Sequence, residues 1–310
     1  MEKKQPSFRI EYLLMLITTF FWALGHPVGR IILKHVHPFQ LGAVNLVIGF
    51  LCLFLFLTLT GNVKKLFSMS GRDILFSFVL GVFGFFLYQT LTFSALVRIP
   101  ASMNAILVST NVVFIALLSA LILKERIFLI KILGILLAFI GVVIITFNRG
   151  FALESRVSLM GCSFSILAAI SFALYTIFGK KVLERNDPLH VSTFALFSGA
   201  VLLSILTAFT SGFYELEVAG KSTWLLMVML SVTMIGIAYP LWFSCLKGMQ
   251  ASHVSIYIYM TPVFAVILSL IILHERFAWL FWLGAACVLG GIVITTLFTR
   301  KIRARSTQSK

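Results

Sequence analysis

Residues 101–126, ASMNAILVSTNVVFIALLSALILKER, return as residues 251–276, ASHVSIYIYMTPVFAVILSLIILHER, with eleven identities in 26 positions. The displacement of 150 residues holds along the whole chain. It carries Gly29 onto Gly179, Pro38 onto Pro188, Gly49 onto Gly199, Phe93 onto Phe243, Gly134 onto Gly284 and Gly141 onto Gly291. One register from end to end marks a duplicated unit. It divides the chain into residues 1–150 and 151–310, the second half closing on a basic tail.

The solvent of this chain is hydrocarbon. It is 60% hydrophobic and 11% charged, and its apolar runs repeatedly reach the ~20 residues that cross a bilayer core. The 25 Lys and Arg give a net charge of +15, but they lie in short clusters between apolar runs. That pattern is one of topology signals rather than of a nucleic-acid surface. Cys52, Cys162, Cys245 and Cys287 sit within apolar stretches without metal-ligand spacing and read as small core residues. No metal or other cofactor is implied. The basic start followed by an apolar run resembles a signal peptide. Because Trp22-Ala23-Leu24 is echoed by Phe172-Ala173-Leu174, that segment is expected to stay as the first span.

Breaks at charge clusters, Pro and Gly predict ten spans. They cover 11–33, 38–59, 73–96, 101–123 and 128–147, then 157–181, 188–210, 222–246, 251–273 and 277–298. An even number places both termini on one side. With the amino terminus cytoplasmic, 18 Lys and Arg face inward and seven outward, as the positive-inside rule demands. Five spans per repeat oblige the halves to face opposite ways. The expected fold is an all-α integral membrane protein: ten transmembrane helices as two inverted five-helix repeats around a central cavity. Inverted repeats are the architecture of secondary transporters.

The chain resembles the EamA-type branch of the drug/metabolite transporter superfamily over nearly its whole length. The resemblance rests on Phe21-Trp22-Ala23, Thr110-Asn111-Val112-Val113-Phe114, Leu123-Lys124-Glu125-Arg126, Gly134 and Gly141. Their counterparts are Ser171-Phe172-Ala173-Leu174-Tyr175, Thr261-Pro262-Val263-Phe264, His274-Glu275-Arg276, Gly284 and Gly290-Gly291. It implies a basket of helices lined by the first, third and fourth spans and by the sixth, eighth and ninth. It also implies traffic in small metabolites, often amino acids, commonly outward across a bacterial cytoplasmic membrane. The chain departs from the family at His26, where Asn is frequent, and at Asn45, where Arg is frequent.

The ionisable residues narrow the cargo. All ten acidic residues fall at helix ends or in loops, and no Lys or Arg lies at an expected midplane. Intramembrane charges mark ion and substrate paths. Without them the expected small-molecule substrate is neutral or zwitterionic, with apolar character. The candidate binding residues are Trp22, His26, Tyr88, Gln89, Asn104, Asn111, Tyr175, Tyr239, Trp242, Tyr257 and Thr261. For each aromatic the alternative is core or lipid packing. The Asn residues need partners in hydrocarbon, from another helix or from substrate. His26, before Pro27, offers a site of proton coupling or an interfacial hydrogen bond. Glu125-Arg126 and Glu275-Arg276 follow corresponding helices, as gating ion pairs or as locks of their loops. The chain carries neither GxSG nor HExxH and no intramembrane Asp, which argues against an intramembrane enzyme. A passive channel and a non-transporting scaffold stay open as alternatives. A monomer suffices to form the cavity, and the lipid bilayer is the other expected partner.

Overall fold

The computed structural model describes residues 8–99, 104, 107–125, 127–147, 158–273 and 279–308. Among these residues all regular structure is helical. In the first half α1 spans Phe8–Ile32, α2 Pro38–Leu59, α3 Gly71–Leu96, α4 Asn111–Ile122 and α5 Leu129–Phe147. In the second, α6 spans Leu159–Leu183, α7 Pro188–Thr210, α8 Lys221–Gly248, α9 residues 251–273 and α10 Trp279–Gln308. Among the described residues six helices, α1, α2, α3, α6, α7 and α8, are long and apolar enough to cross a membrane. Shorter apolar stretches, Leu107–Ile122, Leu129–Ile144 and Trp282–Thr295, belong to α4, α5 and α10.

Local chemistry sets the helix ends. Pro38 and Pro188 open α2 and α7, where a missing N–H costs no bond. The His37 side chain accepts from the Phe39 N–H, and Asp187 accepts from Leu189 in the same way. Ser70 and Ser158 cap α3 and α6 by accepting from the Asp73 and Gly161 N–H groups. Past the ends of α2 and α7 the chain turns through Gly61 (φ 69°) and Gly212 (φ 65°), left-handed positions natural to glycine.

The principal contacts join the two halves and repeat under the 150-residue shift. α1 packs on α8 and α9, while α6 packs on α3 and α4. α2 pairs with α7, and α5 with α10. In both pairs residue numbers rise on one helix as they fall on the other. A Cβ on Gly141 would lie 2.5 Å from the Gly284 carbonyl oxygen, and one on Gly291 2.4 Å from that of Gly134. Similarly, Thr207 donates to the Phe39 carbonyl at 3.2 Å, and Phe50 meets Phe197 at 5.4 Å. Each pair is therefore antiparallel, with glycine backbones in direct contact between α5 and α10.

Both halves carry a π-helical segment at the same place, Val82–Leu87 in α3 and Ser231–Ile237 in α8. The Tyr88 N–H reaches back to Phe83, and the Ala238 N–H to Thr233, five residues earlier in each case. Only α8 has a nearby proline, Pro240, so proline is not the common cause. Shared instead is a docking of α2 and α7. Ile235 bears on Gly49, and its repeat counterpart Phe85 bears on Gly199. Large apolar side chains face outward around the bundle, among them Leu55 (58% exposed), Leu225 (70%) and Phe209 (87%), as hydrocarbon permits and water does not.

Candidate functional site

A cavity of about 110 Å³ lies between the halves. Trp22 and Gly25 of α1 line one wall, and Tyr88, Gln89, Thr92, Phe93 and Leu96 of α3 another. Asn104, Val108, Ser109 and Asn111 contribute from in and before α4. The second half adds Phe172 of α6, Leu230, Met234 and Tyr239 of α8, and Ile258, Thr261 and Pro262 of α9. Four pairs of these residues are repeat equivalents: Trp22 with Phe172, Gln89 with Tyr239, Val108 with Ile258, and Asn111 with Thr261. The two π segments bring Tyr88, Gln89 and Tyr239 onto the cavity, since each follows the widened turn within two residues. Such turns recur at functional sites because the extra residue re-aims the side chains that follow.

Aromatic rings form part of the wall. Trp22 meets Tyr239 at 5.3 Å and Phe172 edge-on at 5.8 Å, and Tyr88 meets Phe172 at 5.2 Å. Also on the cavity wall are polar atoms that are buried without a hydrogen-bond partner among the described residues: Trp22 Nε1, Gln89 Nε2, Asn111 Oδ1 and Thr261 Oγ1. Three of these can donate and two can accept. An unmatched buried polar group costs about 1–3 kcal/mol, so the four together favour a bound molecule that supplies complements. Asn104 is used differently. Its Oδ1 accepts from Ser165 at 2.8 Å and ties the chain before α4 to α6.

The remaining candidates are distributed otherwise. Tyr175 is fully buried and stacks on Phe243 at 4.7 Å, behind the cavity wall. Trp242 is equally buried and backs Trp22 at 5.4 Å. Tyr257 stacks on Tyr12 at 5.6 Å in a separate cluster with His253. The side chain of His26, and Arg126, Glu275 and Arg276 entirely, lie outside the described residues. Gly25, Thr92, Ser109 and Met234 line the cavity without having been marked by sequence. Thr92 lies one turn beyond Tyr88, the only signal that pointed to it.

The end of the bundle where α1 begins is closed by polar groups. Glu125 leaves α4 through Lys124, whose φ of 54° is unusual for a non-glycine residue. Its carboxylate accepts from the N–H of Ala251 at 2.7 Å and of Ser252 at 3.3 Å, and from the Ser252 hydroxyl at 2.6 Å. It thereby caps the first turn of α9. Lys131, 3% exposed, donates to the Ser252 hydroxyl at 2.5 Å and to the Gln250 amide oxygen at 3.0 Å. Lys180 donates to the Leu246 carbonyl at 2.7 Å and also to that of Met249. Beyond this network a vestibule of about 670 Å³ is lined by Arg72, Asp73, Lys181, Glu184 and Arg185. Glu125, Lys180 and Gln250 belong to both the network and the vestibule wall. The Glu125 carboxylate thus reaches across to the other half, while the Glu125 N–H donates to the Ser119 carbonyl at 3.1 Å and closes the turn after α4.

The comparisons with known proteins agree with this architecture. The model of the EamA-like transporter family matches residues 9–147 and again residues 159–297, a displacement of 150 residues. An uncharacterized transporter of Archaeoglobus fulgidus is 27% identical over 285 residues, which cover 92% of this chain and 96% of that protein. The uncharacterized transporter YdfC of Bacillus subtilis is 29% identical over 303 residues, 97% of this chain and 95% of its own. A solved crystal structure of a protein, 20% identical, superposes with a TM-score of 0.79 over 96% of this chain and 99% of that one, a likeness of fold. The chain belongs to the EamA-like transporter family and is a multi-pass membrane transporter.

Proposed function

We propose that the protein is a secondary transporter that moves small neutral or zwitterionic metabolites with apolar character by alternating access. One observation carries this reading. The cavity is built from repeat-equivalent residues of both halves and presents unmatched, uncharged polar atoms beside aromatic rings. Such a site matches a ligand with a compact apolar part and a hydrogen-bonding head, and among the described residues its lining carries no charged side chain. The antiparallel α2/α7 and α5/α10 pairs support ten spans as two inverted repeats, residues 1–150 and 151–310. Charge placement supports cytoplasmic termini in a bacterial plasma membrane, and the family favours export.

In this reading the substrate binds at Trp22, Gln89, Asn111 and Thr261, and the halves rock about it. The Glu125–Ser252–Lys131 network is the closed gate on the cytoplasmic side, with the vestibule as its mouth. The lining extends instead to Leu96 and Leu230, toward the opposite end. In sequence, Glu275 and Ala101-Ser102 hold the positions equivalent to Glu125 and Ala251-Ser252, while Phe281 holds that of Lys131. A thermal-shift screen of neutral amino acids, nucleosides, polyamines and amphipathic drugs, followed by counterflow in proteoliposomes, tests the proposal. Saturable exchange of a neutral or zwitterionic compound is expected. Flux that never saturates indicates a channel, and stabilisation by none of the compounds refutes the substrate class.

A further inference from the structure

We infer that the contact of Met234 with Gly25 sets the size limit of the cavity, and with it the length of apolar group that a substrate can carry. The inference rests on the transporter reading above and deepens it. Gly25 and Met234 face each other on the cavity wall, and a Cβ built on Gly25 would lie 2.5 Å from the Met234 sulfur. The 150-residue shift turns this contact into that of Tyr175 with Gly84. That contact also exists, since a Cβ on Gly84 would lie 2.2 Å from the Tyr175 ring. The partners have exchanged sizes. Both contacts cross between the halves: in one a large residue of α8 covers a glycine of α1, and in the other a large residue of α6 covers a glycine of α3.

The two large residues are not equivalent in stiffness. The Tyr175 ring is held between Gly84 and the stacked ring of Phe243 and is fully buried, so its half of the frame is filled. Met234 is an unbranched, rotatable thioether that borders open space. It also lies within the π segment of α8, where the backbone is least regular. The free volume therefore lies on the methionine side, and the position of that side chain decides how much there is. Asn111, Thr261 and Gln89 line the same cavity as Met234, so a ligand head bonded to them shares its space with this side chain. The fitting class is a neutral or zwitterionic head with a short, unbranched or flat apolar tail.

The test uses purified full-length protein bearing Ser109→Cys on the cavity wall. The probes are n-alkyl methanethiosulfonates from methyl to hexyl, with modification at position 109 read by peptide mass. In this background the rate is expected to fall beyond a definite chain length. Met234→Ala should move that limit outward by at least one carbon, with a gain of about fourfold for each methylene newly admitted. Gly25→Ala should push Met234 inward and shorten the limit, and the double substitution should restore it. Identical profiles in the Met234→Ala and parent proteins overturn the inference. So does failure of the methyl reagent itself in both, because the cavity would then be unreachable. Counterflow by the unmodified protein reports separately on the transporter reading. Met234→Ala suffices if Gly25→Ala does not fold.

Discussion

Glu125→Ala is the most informative perturbation of the closed end. The Glu125 carboxylate accepts two backbone N–H groups at the start of α9 and the Ser252 hydroxyl. Loss of a helix cap costs about 0.5–2 kcal/mol, and a charge-assisted hydrogen bond contributes about 1.5–3 kcal/mol. Lys131, buried and sharing Ser252 with Glu125, would also lose its neighbouring counter-charge. Allowing for relaxation, the closed end should weaken by about 2–4 kcal/mol, roughly a 30- to 1,000-fold rise in its opening equilibrium. Hydrogen exchange over residues 250–256 in the full-length protein reads this directly. Glu125→Gln, which keeps one acceptor oxygen, should show a smaller effect in the same segment. Glu125→Ala combined with Lys131→Met should recover part of the loss, because the unpaired buried ammonium is then gone. Unchanged exchange at Ala251 and Ser252 in Glu125→Ala would refute the capping role and the gate built on it.

Three further outcomes are expected. Gly141→Ala and Gly291→Ala bring a methyl group against backbone of the facing helix and should each destabilise the protein by about 1–3 kcal/mol, read as a lower unfolding temperature. Gly29→Ala and Gly71→Ala, with open space at the Cβ position, serve as controls and should leave that temperature unchanged or higher. Trp22→Ala and Asn111→Ala should each lower transport at least tenfold with membrane insertion intact, and normal counterflow in both would remove these residues from the site. At the other end of the bundle, bonds from the Glu215 N–H and then the Gln40 side chain hold the Glu215 carboxyl below its ordinary value of 4.5. A depressed carboxylate pKa adds stability above the ordinary value and loses it as pH falls through the folded-state value. Unfolding temperature measured from neutral to strongly acid pH should therefore drop on acidification, and less so in Gln40→Leu.

Much of the fold is legible in the order of residues. Hydropathy marks the helices because each must be apolar for its length, and Pro38, Pro188, Ser70 and Ser158 stand at helix starts for reasons of local hydrogen bonding. The 150-residue register identifies equivalent helices, and the family match falls in the same register. Candidate residues Trp22, Tyr88, Gln89, Asn104, Asn111, Tyr239 and Thr261 are brought together on one wall or another of the cavity. Which of the other aromatics join them is not legible. In hydrocarbon a Tyr or Trp suits lipid, core or cavity alike, so composition does not separate Tyr175, Trp242 and Tyr257 from Tyr239.

Position on a helical wheel does not settle it either, because the π turn at 231–237 shifts the phase of Tyr239 and Trp242 in α8, and Tyr257 lies in a 3-10 stretch, Ser255–Tyr259. The repeat alone establishes that two equivalent units meet. Only the tertiary structure decides where their equivalence is broken: Tyr175 over Gly84 fills one contact between the units, Met234 over Gly25 borders the cavity at the other, and Glu125 crosses from the end of α4 to cap α9. Helix formation depends on neighbours within a turn, whereas free volume depends on side chains that meet from distant parts of the chain, such as Gly25 with Met234 and Gly84 with Tyr175.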